Sequence, residues 1–212
     1  MLTADSVTAG YRAGEPVIRG IGLRIAPGEI VGITGDSGSG KTTLARTMAG
    51  LLTPTAGTVT INGKPPRKAR GTTAMVFQSP RAATNPHFTI AQIITEPTTI
   101  RRTPAPDLHA LATSVGLTPD LLTRRPHALS DGQLQRACLA RALAQNPHYL
   151  ILDEPTAMLD AATTATIIRL VVQQTSMGTL LISHDKPLLD IACTRILTMH
   201  EGVLTTGQAS PQ

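Results

Sequence analysis

The order of apolar and polar residues along the chain predicts strands that alternate with helices. Short apolar runs are typical of buried strands, and they occur at residues 30–34, 74–77, 149–152 and 179–183. Apolar residues at helical spacing occur at residues 43–52, 89–96, 107–116, 130–145 and 161–176. This alternation predicts an α/β fold around a mainly parallel sheet.

The remaining stretches predict smaller additions to that sheet. Residues 2–34 contain strands and turns, and residues 58–63 alternate and end in Asn62-Gly63, a strong hairpin signal. Residues 79–128 are rich in Pro, Thr, Ala and Arg, which favours a separate helical layer. We therefore predict one domain over residues 1–207, with a helical subdomain at about 79–145, an exposed loop at 64–71, a final hairpin at 195–206 and a frayed tail at 208–212.

Composition excludes several classes of protein. The 212 residues carry a net charge of +5, but basic pairs such as Arg101-Arg102 are scattered and aromatic residues make up only 2%, so we expect no nucleic-acid binding. Cys138 and Cys193 have no metal or redox spacing and predict two reduced, buried thiols. We expect no signal peptide and no membrane span, so any membrane role would require a partner.

The main candidate for chemistry is a glycine-rich loop between the strand at 30–34 and the helix that follows. Its sequence is Gly35-Asp36-Ser37-Gly38-Ser39-Gly40-Lys41-Thr42, followed by Thr43. Two glycines separated by four residues, then Lys and Thr, match the pattern whose backbone amides bind phosphates. Lys41 can reach the β- and γ-phosphates, and the Thr42 hydroxyl can ligate Mg²⁺. A purely structural turn is disfavoured because strand and helix both flank the loop.

Further candidates follow buried strands or begin helices. Asp153 and Glu154 end one strand, where open α/β sheets place their ligands. His184 follows another strand, and its alternative is an ordinary strand-end histidine. Ser130 and Gln133 have the spacing of a capping box. The remaining histidines show no metal spacing and are interpreted as surface or packing residues.

The order of these motifs resembles the nucleotide-binding subunit of ABC transporters from Tyr11 to about residue 207. Residues 129–133, Leu-Ser-Asp-Gly-Gln, match the signature specific to that family, and Gln78 matches its Q-loop. Residues 150–155 match Walker B with its following glutamate, 157–160 match the D-loop, and 182–185 match the switch histidine. The resemblance implies a P-loop NTPase core with a mainly parallel sheet, a small antiparallel β subdomain and an inserted helical subdomain.

The resemblance also implies a role for each matching residue. The catalytic residues would be Glu154, as general base or water-positioning group, Gln78 and His184, and the metal site would consist of Thr42, Gln78 and Asp153. ATP would be bound by Tyr11, Gly35, Asp36, Ser37, Gly38, Ser39, Gly40, Lys41, Thr42, Thr43, Ser130, Gly132, Gln133 and Asp160. Tyr11 would stack on the purine ring, with core packing as its alternative. Family members dimerise head to tail, so the signature and Asp160 would act on the partner's nucleotide.

One position departs from the family pattern. The signature usually has two glycines where this chain has Asp131-Gly132. A carboxylate there would repel the γ-phosphate, and a Cβ could restrict close approach of the backbone. We therefore expect a composite site of reduced activity, and we expect Asp131→Gly to raise hydrolysis unless the carboxylate points outward.

These features lead to a prediction of function with two alternatives. Residues 77–80 (Phe-Gln-Ser-Pro), with Asn85-Pro86 and Thr89-Ile90 beyond them, resemble the peptide and nickel importer branch. The leading prediction is an ATP- and Mg²⁺-dependent importer subunit, peripheral on the cytoplasmic face of the inner membrane. Its partners would be permease subunits, a second ATPase subunit and, indirectly, a substrate-binding protein. The alternatives are a soluble ABC ATPase acting on nucleic acid or ribosomes, and a weakly hydrolysing, ATP-gated interaction subunit.

Overall fold

The computed structural model describes residues 1–12, 14–66, 69, 71–157 and 159–206. Three sequence predictions lie wholly or partly outside the described residues: the tail at 208–212, part of the loop at 64–71, and Met158 of the D-loop motif. From the amino end the elements are β1 (Leu2–Ala9), β2 (Ile18–Ile25), β3 (Ile30–Thr34), α1 (Lys41–Met48), β4 (Ala56–Ile61), β5 (Thr73–Val76), α2 (Ile90–Arg101), α3 (Leu108–Ser114), α4 (Asp131–Leu143), β6 (Tyr149–Asp153), α5 (Ala161–Val172), β7 (Gly178–Ile182), α6 (Lys186–Ala192), β8 (Arg195–His200) and β9 (Val203–Thr206).

The chain divides into two compact units. The first comprises Met1–Met75, His148–Glu154 and the chain from Thr175 onward, and the second comprises Val76–Pro147 and Pro155–Gln174. Within the described residues, no helix combines the length and apolar character that crossing a bilayer requires.

The larger sheet is mainly parallel and positions the site. Its strand order is β5-β6-β7-β3-β8-β9, and β6–β7, β7–β3 and β3–β8 are parallel pairs. β6 and β7 are buried along their whole length, as expected of strands covered on both faces. Because β6, β7 and β3 are parallel neighbours, their carboxyl ends meet at one edge of the sheet.

The smaller sheet is antiparallel, with strand order β2-β1-β4. Alternate residues of β1 are buried, and the alternation shifts at Ser6, where φ is 48° and the pairing register slips. Both sheets contribute to one apolar cluster with α1, through residues such as Leu2 of the smaller sheet, Ile33 of the larger sheet and Leu44 of the helix. Asn62 and Gly63 form the predicted tight turn with positive φ, but within the described residues the chain after the turn pairs back through a single bridge, between Ile61 and Lys64.

The second unit contains the whole segment predicted as a helical subdomain, at about residues 79–145. α2 begins with a capping box between Thr89 and Gln92 and runs through Pro97. The predicted end of this helix, at residue 96, is wrong, because the helix continues to Arg101. Ile90, Ile93 and Ile94 are buried, so packing stabilises the helix beyond a proline that would break an isolated one.

Other helix bounds also differ from the predicted ones. α1 ends at Met48 rather than at residue 52 because Gly50 takes a left-handed conformation (φ 74°), and the Leu51 amide donates to the Arg46 carbonyl at 2.8 Å. α5 ends at Val172 rather than at residue 176. α6 was not predicted: it is only seven residues long, and its N-cap is Asp185.

Candidate functional site

The phosphate loop connects β3 to α1 in the first unit, and its glycines are required by its geometry. Gly35 and Gly40 have φ values of 145° and 108°. A Cβ at Gly35 would lie 2.1 Å from the Met199 carbonyl oxygen, and one at Gly40 would lie 2.9 Å from Ile18 Cγ2. Side chains are therefore excluded at both positions, which leaves backbone amides to form the concave surface.

The start of α1 carries the positive groups of this loop. Its N-cap, Gly40, has no side-chain capping bond, so the first amides of the helix are open to an anion. Lys41 Nζ donates to the carbonyl oxygens of Gly35 and Asp36, each at 2.7 Å. The buried Ser39 hydroxyl has no hydrogen-bond partner among the described residues. These features fit a phosphate group better than an ordinary turn.

Asp153, the last residue of β6, is a buried carboxylate at the edge of the sheet. Burial raises its pKa, and a hydrogen bond from Thr42 and the positive charges of Arg46 and Lys41 oppose that rise. Its Oδ1 atom has no hydrogen-bond partner within the described part of the chain. An incompletely satisfied carboxylate oxygen beside a threonine hydroxyl is a donor set that suits Mg²⁺.

Glu154 is held in an unusual backbone conformation next to His184. Its φ is 50°, which is uncommon for a residue with a side chain, and its amide donates to the Ile182 carbonyl at 3.0 Å. Glu154 Oε2 lies 2.9 Å from His184 Nδ1. The glutamate side chain is only 11% exposed, whereas that of the histidine is 73% exposed. Parallel neighbours β6 and β7 therefore bring the two predicted catalytic groups into hydrogen-bond contact.

Tyr11 lies at the surface of the first unit, so its alternative as a core residue is wrong. It is 55% exposed. Arg46 Nη1 donates to the Tyr11 hydroxyl at 3.1 Å, and the guanidinium carbon lies 5.7 Å from the ring centroid. The ring is thus oriented by a cation from α1, a contact that the sequence analysis did not identify.

The second unit carries the signature at the start of α4. The Gln133 amide donates to Ser130 Oγ at 3.2 Å, and the Ser130 amide donates to Gln133 Oε1 at 2.9 Å, so the predicted capping box is present. Gln78 is exposed in the same unit. The buried Gln135 side chain connects α4 to the residue before Gln78, because its Nε2 donates to the Phe77 carbonyl at 3.2 Å.

Asp131 of the signature forms an ion pair with Arg81. Its Oδ1 accepts from Arg81 Nε at 2.6 Å, and the other two guanidinium nitrogens donate to the carbonyl oxygens of Pro126 (3.2 Å) and Leu129 (3.1 Å). Arg81 is a residue that sequence alone does not identify, since nothing in its local sequence indicates a partner fifty residues away.

Asp160 is the N-cap of α5 in the second unit. Its carboxylate accepts from the Thr163 amide and hydroxyl, both at 2.9 Å. These bonds lower the pKa of Asp160. The sequence analysis did not anticipate this capping role, although an aspartate directly before a helical repeat is a typical signal for it.

Comparison with known families identifies the chain. A family model described as ABC transporter matches residues 18–157. The chain belongs to the ABC transporter family. The resemblance, the fold class and the class of activity, ATP hydrolysis coupled to transport, are thereby confirmed.

Relatives of this ABC chain place it among ATP-binding subunits of importers. It is 37% identical to a nickel import ATP-binding protein of Rhodospirillum rubrum, over 95% of this chain and 82% of the relative. It is 38% identical to a probable D,D-dipeptide transport ATP-binding protein of Escherichia coli, over 87% of this chain and 61% of the relative. The chain thus spans about three-fifths of that second relative.

Solved structures agree with the assignment to the ABC transporter family. A dimeric ATP-binding cassette in a post-hydrolysis state, bound to ADP and Pi, superposes with a TM-score of 0.88 at 27% identity, covering 99% of this chain and 100% of the other. A Clostridium perfringens protein described as part of an ABC transporter complex superposes with a TM-score of 0.80 at 27% identity, covering 96% and 86% of the two chains. The individual site residues remain predictions.

Proposed function

We propose that this chain hydrolyses ATP to power an importer of peptides, nickel or a related metal complex. It would act as one of two ATPase subunits, on the cytoplasmic face of the inner membrane, beside permease subunits that receive substrate from a binding protein. The names of the relatives, which cover nickel import and dipeptide transport, support this range of substrates.

In the proposed reaction, the phosphate loop and Lys41 bind the ATP phosphates, with Tyr11 stacked against the purine ring. Glu154 orients a water molecule and accepts its proton, while His184 contacts the γ-phosphate and fixes the glutamate through Nδ1. The Ser130 turn and Asp160 act across the dimer on the partner's nucleotide. Phosphoryl transfer needs mainly positioning and charge stabilisation, and these groups supply both.

A magnesium ion would be held by Thr42, Asp153 and Gln78. When bound, it would neutralise charge on the β- and γ-phosphate oxygens. Asp153 suits this role because its carboxylate is buried beside Thr42 and one oxygen has no partner in the described part of the structure.

The contact between Glu154 and His184 carries this proposal. It joins a half-buried carboxylate to an exposed imidazole at 2.9 Å, at the edge of the sheet where β3 leads into the phosphate loop. A chain that had kept only ATP-gated association would not require a hydrolytic pair at this position.

The test is affinity purification of the tagged chain from detergent-solubilised native membranes, followed by an ATPase assay of the eluate. We expect recovery of membrane-spanning proteins and a second ATPase subunit, with turnover abolished by Glu154→Gln. The matched control is Glu15→Gln at an exposed glutamate, which we expect to retain turnover. Recovery of only soluble proteins or nucleic acid would overturn the proposal.

The substrate range is tested with the recovered complex in proteoliposomes. ATP-dependent accumulation of radiolabelled nickel, of a dipeptide or of a longer peptide would separate the candidates. Turnover that no member of this panel stimulates would contradict the proposed substrate class while leaving the ATPase assignment intact.

A further inference from the structure

We infer that Arg81 is a positioning residue that neutralises Asp131 and so preserves the signature turn as a binding site for the partner's γ-phosphate. This inference rests on the proposed function. It concerns the one signature position that departs from the family pattern, and it gives Arg81 a role that its sequence position does not suggest.

The first observation is a short, well-oriented ion pair. Arg81 Nε donates to Asp131 Oδ1 at 2.6 Å. Their side chains are 49% and 45% exposed, so the pair lies at a surface that a second subunit can reach. Charge-assisted bonds of this length are stronger than neutral ones.

The second observation is that the guanidinium is fixed from two further sides. Nη1 donates to the Pro126 carbonyl and Nη2 to the Leu129 carbonyl, at 3.2 and 3.1 Å. These carbonyl groups belong to the segment that leads into Ser130. The positive charge is therefore held beside the signature turn by the backbone as well as by the carboxylate.

The need for this charge follows from the position of Asp131. It is the first residue of α4, and the amino end of a helix attracts anions through its free amides and dipole. An unpaired carboxylate there would itself interact with the free amides and the dipole at the start of α4, and it would repel a phosphate. With Arg81 bonded to it, the pair is neutral and the amides beyond Ser130 keep their attraction for a phosphate.

A purely structural clamp is the competing explanation, because Arg81 also connects the segment after Gln78 to the segment before Ser130. The two explanations differ when both charges are removed. If neutralisation is the role, Asp131→Gly should rescue Arg81→Ala. If the carbonyl contacts are the role, the double variant should be as defective as Arg81→Ala, since both lack the guanidinium.

The experiment measures the ATP concentration for half-maximal association of the two ATPase subunits, with the full chain in a Glu154→Gln background. The partner is a second copy or the companion subunit recovered with it. We expect Arg81→Ala to raise this concentration about tenfold, which corresponds to about 1.4 kcal/mol. We expect Arg81→Ala/Asp131→Gly to return within about twofold of the unmutated value, and Arg81→Lys to lose less than Arg81→Ala because it keeps the charge.

The matched control is Arg124→Ala, which removes another exposed Arg–Asp pair in the same unit, 3.6 Å from Asp120. It should leave the half-maximal concentration unchanged, and melting temperatures of all variants report any loss of folding. A double variant as weak as Arg81→Ala would overturn this inference alone. Absence of both turnover in the unmutated complex and ATP-driven association would overturn the proposed function, and this inference with it.

Discussion

Two capping boxes in the second unit allow one prediction to separate stability from function. Ser130 caps α4 within the signature, and Thr89 caps α2 outside it. Both accept from the amide three residues later, at 3.2 and 3.3 Å, and both donate their own amide to a glutamine side chain, at 2.9 and 2.8 Å. Ser130→Ala and Thr89→Ala thus remove nearly identical hydrogen bonds from two different places.

The expected stability cost is the same for both variants. Replacing a serine or threonine N-cap by alanine costs about 1 kcal/mol. For a chain of this length, that corresponds to a melting temperature lowered by about 2–4 °C. Differential scanning calorimetry without nucleotide should therefore show two similar shifts.

The expected effect on ATP-driven association differs between them. We expect Ser130→Ala to raise the ATP concentration for half-maximal association about tenfold, because its hydroxyl would also bond a charged phosphate. Thr89→Ala should stay within about twofold of the unmutated chain, since it lies outside the signature. Equal effects of the two variants on association, whether large or absent, would refute the assignment of Ser130 to the nucleotide.

Three further predictions concern the first unit. Asp153→Asn should raise the melting temperature at pH 7 without nucleotide, measured by calorimetry, by an amount corresponding to about 1 kcal/mol. The reason is that the pKa of Asp153 is raised in the folded chain, so the folded state loses stability as the pH rises through that pKa. No rise relative to Asp5→Asn, an exposed control, would contradict this. Tyr11→Ala should weaken ATP binding about tenfold in equilibrium titrations and Tyr11→Phe far less, since the ring and not the hydroxyl would stack; equal losses would count against stacking. Cys193 is half-buried rather than fully buried as predicted, and desolvation with the nearby Asp190 carboxylate raises the pKa of its thiol to about 12. Iodoacetamide should therefore label Cys193 at pH 8 about a thousandfold more slowly than an ordinary thiol. Rapid labelling of the native chain would contradict this, and Cys138 of the second unit, which is buried, is expected to be a second slow site.

The parts of the fold that sequence predicted well are those determined by short-range patterns. The strand at residues 30–34 was predicted from a continuous apolar run, and the structure has β3 at Ile30–Thr34. The capping box of α4 was predicted from a serine and a glutamine three positions apart. In both cases the sequence signal that predicts the element lies within a few residues, although β3 itself pairs with the distant strands β7 and β8.

The errors occur where packing or a single backbone conformation determines where a helix ends or whether a side chain is buried. The apolar periodicity predicts that α1 continues beyond Gly50, but the left-handed conformation of Gly50 ends the helix. Because proline usually breaks a helix, the predicted end of α2 falls before Pro97, but the helix continues through it. Tyr11 could not be placed in core or surface from sequence, because a lone aromatic residue is compatible with both. Its contact with Arg46 spans thirty-five residues, so no local pattern could have predicted it.

The signature shows how this limit affects the interpretation of function. Taken residue by residue, Asp131 predicts a weakened site, because a carboxylate repels a phosphate. The structure adds a guanidinium at 2.6 Å, so the relevant unit is a neutral pair and not a free anion. Asp131→Gly alone would then leave Arg81 without its carboxylate partner beside the turn, and the comparison between that variant and the double variant measures what the Arg81 side chain contributes once the carboxylate is gone. A motif position can therefore be judged only together with the charges that fold against it.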